Sequence, residues 1–336
     1  MAPIVSSIVV AESLPTIVLD LLRVDDDAES KNLLAACRDY GFFYLNLTSD
    51  PELVKLWDDL LSIIKAYFEQ PLEIKMQDAR GDDNYGYEPT GTEEGPSPKT
   101  RDGYESLKIS RREFLKGSTD LTTPIRSHSP TFFSFIEHAH TITITILSRL
   151  STQLGLTGPS RFETYHADPG PSLSTLGLLR YPKHDPTTTT PTHVGHNKHT
   201  DVGTLTFLLA GQWGLQFFSP ATKRWEFIEP RRGHAIINVG DSLRFPSAGE
   251  LASVVHRVVP LRETQTEDRY SMAYFLRMND QGGFTDATGR KWSAREWHDF
   301  KFGVFKSPST LDAGGQVLTG MMEDSERWAG GDAIAA

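Results

Sequence analysis

The sequence predicts a mixed α/β protein whose catalytic half is mainly β. Apolar residues keep helical spacing over 53–67 and 130–154. After Ser172 the pattern changes to short apolar runs separated by Gly, Pro and charged turns, the signature of a sandwich or barrel. The length of 336 residues, with 38% hydrophobic and 23% charged side chains, suits a large domain with a buried core.

Leu14 to Leu21 is a short apolar run of strand type. Ala28 to Tyr40 reads as a helix stopped by Gly41, and Gly41 to Leu45 has the aromatic composition of a buried strand. Asp50-Pro51 is a helix start, with an N-cap followed by Pro at the first helical position. Leu53, Leu56, Leu60, Ile64 and Tyr67 then form one stripe. Residues 78–106 are rich in Asp, Gly, Asn, Pro and Thr, with Tyr85, Tyr87 and Tyr104 interspersed. They read either as a polar surface loop or as a mobile, aromatic-bearing flap over a pocket.

Residues 130–154 carry two signals. Thr141 to Ile146 alternates like a strand. Phe132, Ile136, Ala139, Ile142, Ile146, Leu150 and Leu154 hold helical spacing with no turn between them, so one long helix packed on the catalytic domain is expected. Strands are expected at 174–181, 203–209, 214–218, 225–228, 234–239, 252–259 and 270–276, and Ser293 to Glu296 fits a capping box that opens a helix. The tail from Ser307 has little apolar periodicity and reads as loosely held. The expected division is an N-terminal region over 1–125, a catalytic domain over 126–306 and a tail over 307–336.

A formal net charge of −10 argues against a nucleic-acid partner. No run is apolar for long enough to cross a bilayer, and no basic segment precedes the first apolar run, so neither a membrane span nor a secretory signal is expected. Cys37 is the only cysteine, which excludes an intramolecular disulfide and any Cys-rich metal site. A cytoplasmic protein acting on a small molecule, with no obligate protein partner, is the expectation.

His199-Thr200-Asp201 sets an imidazole and a carboxylate two positions apart, on one side of an extended segment. Two His and one carboxylate leave an octahedral face open, as non-haem Fe(II) oxygenases require. His166-Ala167-Asp168 repeats the pattern in a turn-rich context, where turn capping explains it. His193 and His196 read as exposed, in a Pro- and Thr-rich loop. His256 alternates with Val254 and Val258; it is either a third ligand or a core histidine bonded to a carbonyl. Arg269 and Ser271 lie two apart on the next strand, facing either an anionic ligand or an internal carboxylate.

This ordered set, His199-x-Asp201, His256 and Arg269-x-Ser271, resembles the isopenicillin N synthase-like branch of the 2-oxoglutarate- and Fe(II)-dependent dioxygenases. Gly214-Leu215-Gln216 ahead of Trp225, Asn238-x-Gly240-Asp241, Ser253-x-x-His256-Arg257-Val258 and Ala36-Cys37-x-x-x-Gly41-Phe42-Phe43 are similar to further segments of that family. The likeness covers roughly residues 14 to 300, and the general texture is similar to fungal members that tailor secondary metabolites.

The resemblance implies a distorted double-stranded β-helix, a cupin-like jelly roll flanked by helices, with an α/β N-terminal region. It implies Fe(II) on His199, Asp201 and His256, and 2-oxoglutarate on Arg269 and Ser271 beside Tyr181. It also implies O2-driven hydrogen abstraction through an Fe(IV)-oxo species, with succinate and CO2 as co-products. The product could be hydroxylated, desaturated, cyclised or ring-expanded. Arg180, Tyr85, Tyr87, Tyr104 and Phe207 are the candidate substrate contacts. Leu179 replaces an Asn usual in plant members, and Leu179-Arg180-Tyr181-Pro182 is closer to isopenicillin N synthase itself, which uses no 2-oxoglutarate. A cosubstrate-free Fe(II) oxidase is therefore the alternative, followed by a zinc jelly-roll hydrolase or isomerase and a non-catalytic binder. The polar span from Glu263 to Asp268 reads as a lengthened hairpin loop.

Overall fold

The computed structural model describes residues 10, 14–93, 101–168, 170–183, 195–261, 265–306 and 317–321. Its frame is two facing sheets. The larger contains β1 (Thr16–Val18), β2 (Phe42–Asn46), β3 (Gly86–Glu88), β4 (Glu105–Ser110), β5 (Thr175–Tyr181), β7 (Leu205–Ala210), β10 (His234–Val239) and β12 (Arg269–Leu276). Their order is β1-β2-β10-β7-β12-β5-β4-β3, and every pair but β1–β2 is antiparallel. The smaller sheet contains β6 (His196–His199), β8 (Leu215–Phe218), β9 (Trp225–Phe227) and β11 (His256–Val258), in the order β6-β11-β8-β9. The fold is a helix-flanked jelly roll.

Strand alternation sorts the large sheet into two faces. Leu107, Leu176, Leu178, Phe207, Leu209, Ile237 and Met272 point outward. They pack on the helices Pro51–Phe68 and Ser129–Gln153 through Leu60, Ile64, Phe132, Phe135, Ile142 and Ile146. Residues 129–153 form one helix, so burial of a single stripe overrode the β-branched alternation. The inner face carries Phe42, Tyr44, Tyr181 and Ile236 toward Leu215, Phe217 and Val258 of the small sheet.

Four of the strands in the large sheet precede residue 125, so the sheet runs continuously across that boundary. The segment 78–106 is not one loop: β3 pairs with β4 at the sheet edge, and residues 94–100 lie outside the described residues. The strand expected over 14–21 stops at Val18, where the helix formers of Leu19–Arg23 take over. Within 252–259 only His256–Val258 is paired. In the tail, Val317, Leu318 and Thr319 are buried rather than loose; Val317 and Leu318 join the cluster of Trp292, Trp297 and Val304 around the helix Ala294–Lys306, whose start is the expected Ser293–Glu296 box. The rest of the tail lies outside the described residues.

Gly41 joins the helix Asp27–Asp39 to β2 with φ of 65°, and an added Cβ would lie 2.1 Å from the Ala252 carbonyl oxygen. Left-handed strain and this clash together should make Gly41→Ala cost about 2–4 kcal/mol. Urea unfolding checks this; a loss below about 1 kcal/mol would show that the loop before β11 yields.

Candidate metal and cosubstrate site

The chain leaves the small sheet at the end of β6 and enters the large one at β7, and His199 and Asp201 lie on this corner. His199 therefore does not lead straight into the strong strand, as expected; residues 200–204 cross between the sheets. His256 on β11 stands directly opposite His199 on β6. His199 Nε2 and His256 Nε2 lie 3.6 and 3.7 Å from Asp201 Oδ1. One ligand atom from each of the three falls within 4.8 Å of the others, and all three residues are buried.

The remaining atoms of these side chains are tied down. His199 Nδ1 lies 2.7 Å from the Asn197 carbonyl and His256 Nδ1 lies 3.2 Å from that of Val254. Protonation at Nδ1 leaves both Nε2 lone pairs facing Asp201. Asp201 Oδ2 accepts from Thr206 Oγ1 and, at 2.7 Å, from Asn238 Nδ2, which leaves Oδ1 toward the imidazoles. Burial opposes charge on Asp201, yet His256, His199 and Asn238 outweigh it and hold the carboxyl far below its usual range. Burial, with His199 alongside, pulls His256 down to about 4, so its ring is neutral at pH 7. A buried carboxylate beside the neutral His256 ring suits divalent metal binding, which needs ligands free of protons. This donor set of two nitrogens and one oxygen fits Fe(II).

The corner's backbone is also fixed. Lys301 Nζ donates to Thr200 O and Oγ1 at 2.8 and 2.6 Å and pairs with Asp241 Oδ2 at 2.6 Å; neither charged side chain is exposed. Thr200 N donates to Leu318 O, and Asp241 N to Asp201 O, each at 2.8 Å. Gly240 lets the Asn238–Asp241 turn approach, since a Cβ there would sit 2.2 Å from the Gly203 carbonyl oxygen. Lys301 was legible only as a cation inside the apolar stripe of Trp297, Val304 and Phe305, and sequence reasoning missed it.

Arg269 and Ser271 lie on the inner face of β12. Arg269 is buried, donates Nε to the Trp213 carbonyl at 2.9 Å and sits 5.0 Å from the Tyr181 ring centre. No carboxylate among the described residues lies within ion-pair distance of it. The internal salt bridge left open by the sequence is therefore not found there.

A cleft opens beside the triad, lined by Tyr104, Lys108, Leu179, His196, Phe275, Arg277 and Phe305 among others. Of the candidate substrate contacts, Tyr104 is in it. Arg180 and Phe207 face outward: Arg180 pairs with Glu105 and Asp268, both at 2.8 Å, and Phe207 packs on Phe135. Tyr87 donates to Glu105, and Tyr85 bonds to Asp120 and Thr119. These four do not line the cleft, because strand alternation or a local carboxylate turns each away. His196 is not exposed; it stacks between Tyr104 and His199 at 4.7 and 4.4 Å. His166 is no turn cap but a buried bridge between the Phe162 carbonyl and Thr204 Oγ1, while Asp168 pairs with Arg111. His193 lies outside the described residues.

Comparison with known proteins agrees with this geometry. Residues 173–278 match the 2OG-Fe(II) oxygenase superfamily and residues 14–127 the N-terminal region described as that of non-haem dioxygenase in morphine synthesis. The 2-oxoglutarate-dependent dioxygenase frbH of Dothideomycetidae sp. is 45% identical over 93% of this chain and 97% of its own. This chain belongs to the 2OG-Fe(II) oxygenase superfamily. The dioxygenase gloE of Glarea lozoyensis is likewise 45% identical to this oxygenase, over 95% and 96% of the two chains. A full-length Neurospora crassa protein, solved in complex with alpha-KG, shares its fold with a TM-score of 0.70 at 21% identity, covering 88% of this oxygenase and 98% of the Neurospora chain. The oxygenase uses Fe(II), 2-oxoglutarate and O2. No helix among the described residues is long and apolar enough to cross a membrane.

The buried His166 yields a pH prediction. Burial, partly opposed by the Phe162 carbonyl, lowers its pKa from 6.5 to about 3. Below pH 6.5 the unfolded chain takes up a proton that the folded state refuses, so stability falls with pH by up to about 1.4 kcal/mol per unit. His166→Gln should flatten the metal-free protein's urea-unfolding slope between about pH 6 and 4 by close to one proton, with metal affinity retained. An unchanged slope, or lost metal binding, would contradict this assignment.

Proposed function

We propose that His199, Asp201 and His256 hold Fe(II), and that Arg269 and Ser271, with Tyr181 against the guanidinium, hold the distal carboxylate of 2-oxoglutarate. The approach of three buried ligand atoms to within 4.8 Å, beside a cleft that His199 and Asp201 help to line, carries the reading. With 2-oxoglutarate and O2, bound Fe(II) supplies the oxidation that breaks a substrate C–H bond and releases succinate and CO2.

The chain's own part is orientation and exclusion of water. Thr206 and Asn238 fix the Asp201 carboxylate, and the Asn197 and Val254 carbonyls fix the imidazoles. Arg269 keeps its charge in an apolar surround without a carboxylate partner among the described residues, so a diacid arriving there meets a preorganised donor. Tyr104, His196 and Phe305 form an aromatic wall beside the triad. A small, partly apolar metabolite fits such a cleft, and the fungal relatives support a role in secondary metabolism. The net charge of −10 and the single, buried cysteine support a cytoplasmic enzyme without a nucleic-acid partner.

Alanine at His199, Asp201 or His256 should abolish metal binding and succinate release, measured by calorimetric titration and by succinate assay. Metal binding that survives in His199→Ala would remove that residue from the set. Arg269→Lys loses the planar fork and should weaken 2-oxoglutarate by about 10- to 150-fold, and Ser271→Ala by about 2- to 13-fold. Product formation without succinate, with 2-oxoglutarate affinity unmoved in both variants, would transfer the clamp to the organic substrate.

A further inference from the structure

One charged residue of the cleft has no part in the reading above. Arg269, Ser271, Ala273, Phe275 and Arg277 follow one another on the inner face along and just past β12. Arg277 lies roughly 26 Å from Arg269 along the strand, at about 3.3 Å per residue, too far for one five-carbon diacid to serve both.

The other charged side chains lining the cleft are matched. Lys108 pairs with Glu88 at 2.6 Å, Asp83 pairs with Lys306, Glu93 accepts from Tyr104 at 3.1 Å, and Asp201 belongs to the triad. Arg277 has no carboxylate within 4.0 Å among the described residues. Its Nη1 donates to Asn84 Oδ1 at 2.7 Å and to the Leu173 carbonyl, while Nε is buried with no partner. The guanidinium carbon lies 5.5 and 5.8 Å from the ring centres of Phe275 and Phe302, both of which line the cleft. The residue is only 8% exposed.

A buried guanidinium with an unmade donor carries a desolvation cost, and a carboxylate reaching the guanidinium from the cleft would offset it through charge-assisted hydrogen bonds. Asn84 and Leu173 hold the head by Nη1, and the two rings flank it. It is an anchored cation lining the space beside the triad; Asp201 and Asp83 lie near enough to favour its charge, but no carboxylate among the described residues touches it.

We propose that Arg277 binds a carboxylate of the organic substrate, which makes the substrate class a carboxylic acid held at the end of the cleft away from the 2-oxoglutarate clamp. The inference rests on the reading of this cleft as the substrate site. Burial draws Arg277 down to about 10, which still leaves it charged at neutral pH.

The test uses protein loaded with Mn(II) and saturating 2-oxoglutarate, titrated with phenylacetate or phenylacetamide, two probes alike in shape and different in charge. Paramagnetic broadening of the probe protons reports residence in the cleft. Phenylacetate should bind at least about tenfold more tightly than the amide. Arg277→Gln should bring the two to within about twofold of each other, with 2-oxoglutarate affinity also within about twofold of wild type. Arg277→Lys should fall between, and it is read in place of the Gln variant if the latter does not fold. Equal binding of the probes by the wild type, binding of neither, or a carboxylate preference that persists in the variant overturns the proposal. Failure of the wild type to take up Mn(II) and 2-oxoglutarate sinks the metal reading instead, and calorimetric titration of the same probes then decides on Arg277 by itself.

Discussion

The Asp201 carboxylate is the group around which the rest of this site is organised. It is buried at the corner where the chain passes from one sheet to the other, and a buried carboxylate must be surrounded by donors or by positive charge. Thr206 from β7 and Asn238 from β10 supply two donors to one oxygen, while His199 from β6 and His256 from β11 face the other. Four strands from two sheets therefore converge on one functional group. A divalent cation placed among these three side chains would gain most from the charge of the carboxylate.

Period-two alternation lets one sheet do two jobs. The outward residues of β5, β7 and β12 make an apolar floor for the helices, and the inward ones carry Tyr181, Arg269, Ser271 and Arg277. A one-residue slip would exchange these sets and bury charges against the helix Ser129–Gln153. The outward packing thus holds the inward chemistry in register. Arg180 illustrates the same rule: adjacent to Tyr181, it faces the opposite way and is absorbed by Glu105 and Asp268.

A second set of contacts acts on the backbone of the corner. The fully buried Lys301–Asp241 pair spans the helix Ala294–Lys306 and the Asn238–Asp241 turn, and it grips Thr200 between His199 and Asp201. Removing one partner of such a pair leaves an unpaired buried charge, which is costly even where the intact pair adds little stability. Leu318 adds a backbone bond to the same residue from far along the chain. The C-terminal residues 317–321 thus belong to the site's support.

Local sequence signals were enough for the elements. Asp50-Pro51 marked a helix start, Ser293–Glu296 another, and the unbroken stripe from Phe132 to Leu150 outweighed the alternation within it. The spacing Arg269-x-Ser271 was equally legible, because i and i+2 on extended backbone must share a side, whereas His199 and Asp201 come together at the corner after β6. Contacts made across the fold were not legible. The apolar stripe around Lys301 marks it as buried without naming its partner, and nothing in the sequence sets His196 against Tyr104 and His199 or turns Phe207 and Tyr87 away from the cleft. Those depend on which strand lies beside which and on what packs over each face. Sequence alone determined the chemistry of the site through residue type and short-range periodicity. Tertiary structure decided which charges are matched and which, like Arg277, are left facing the cleft, because pairing depends on distances between residues far apart in the chain.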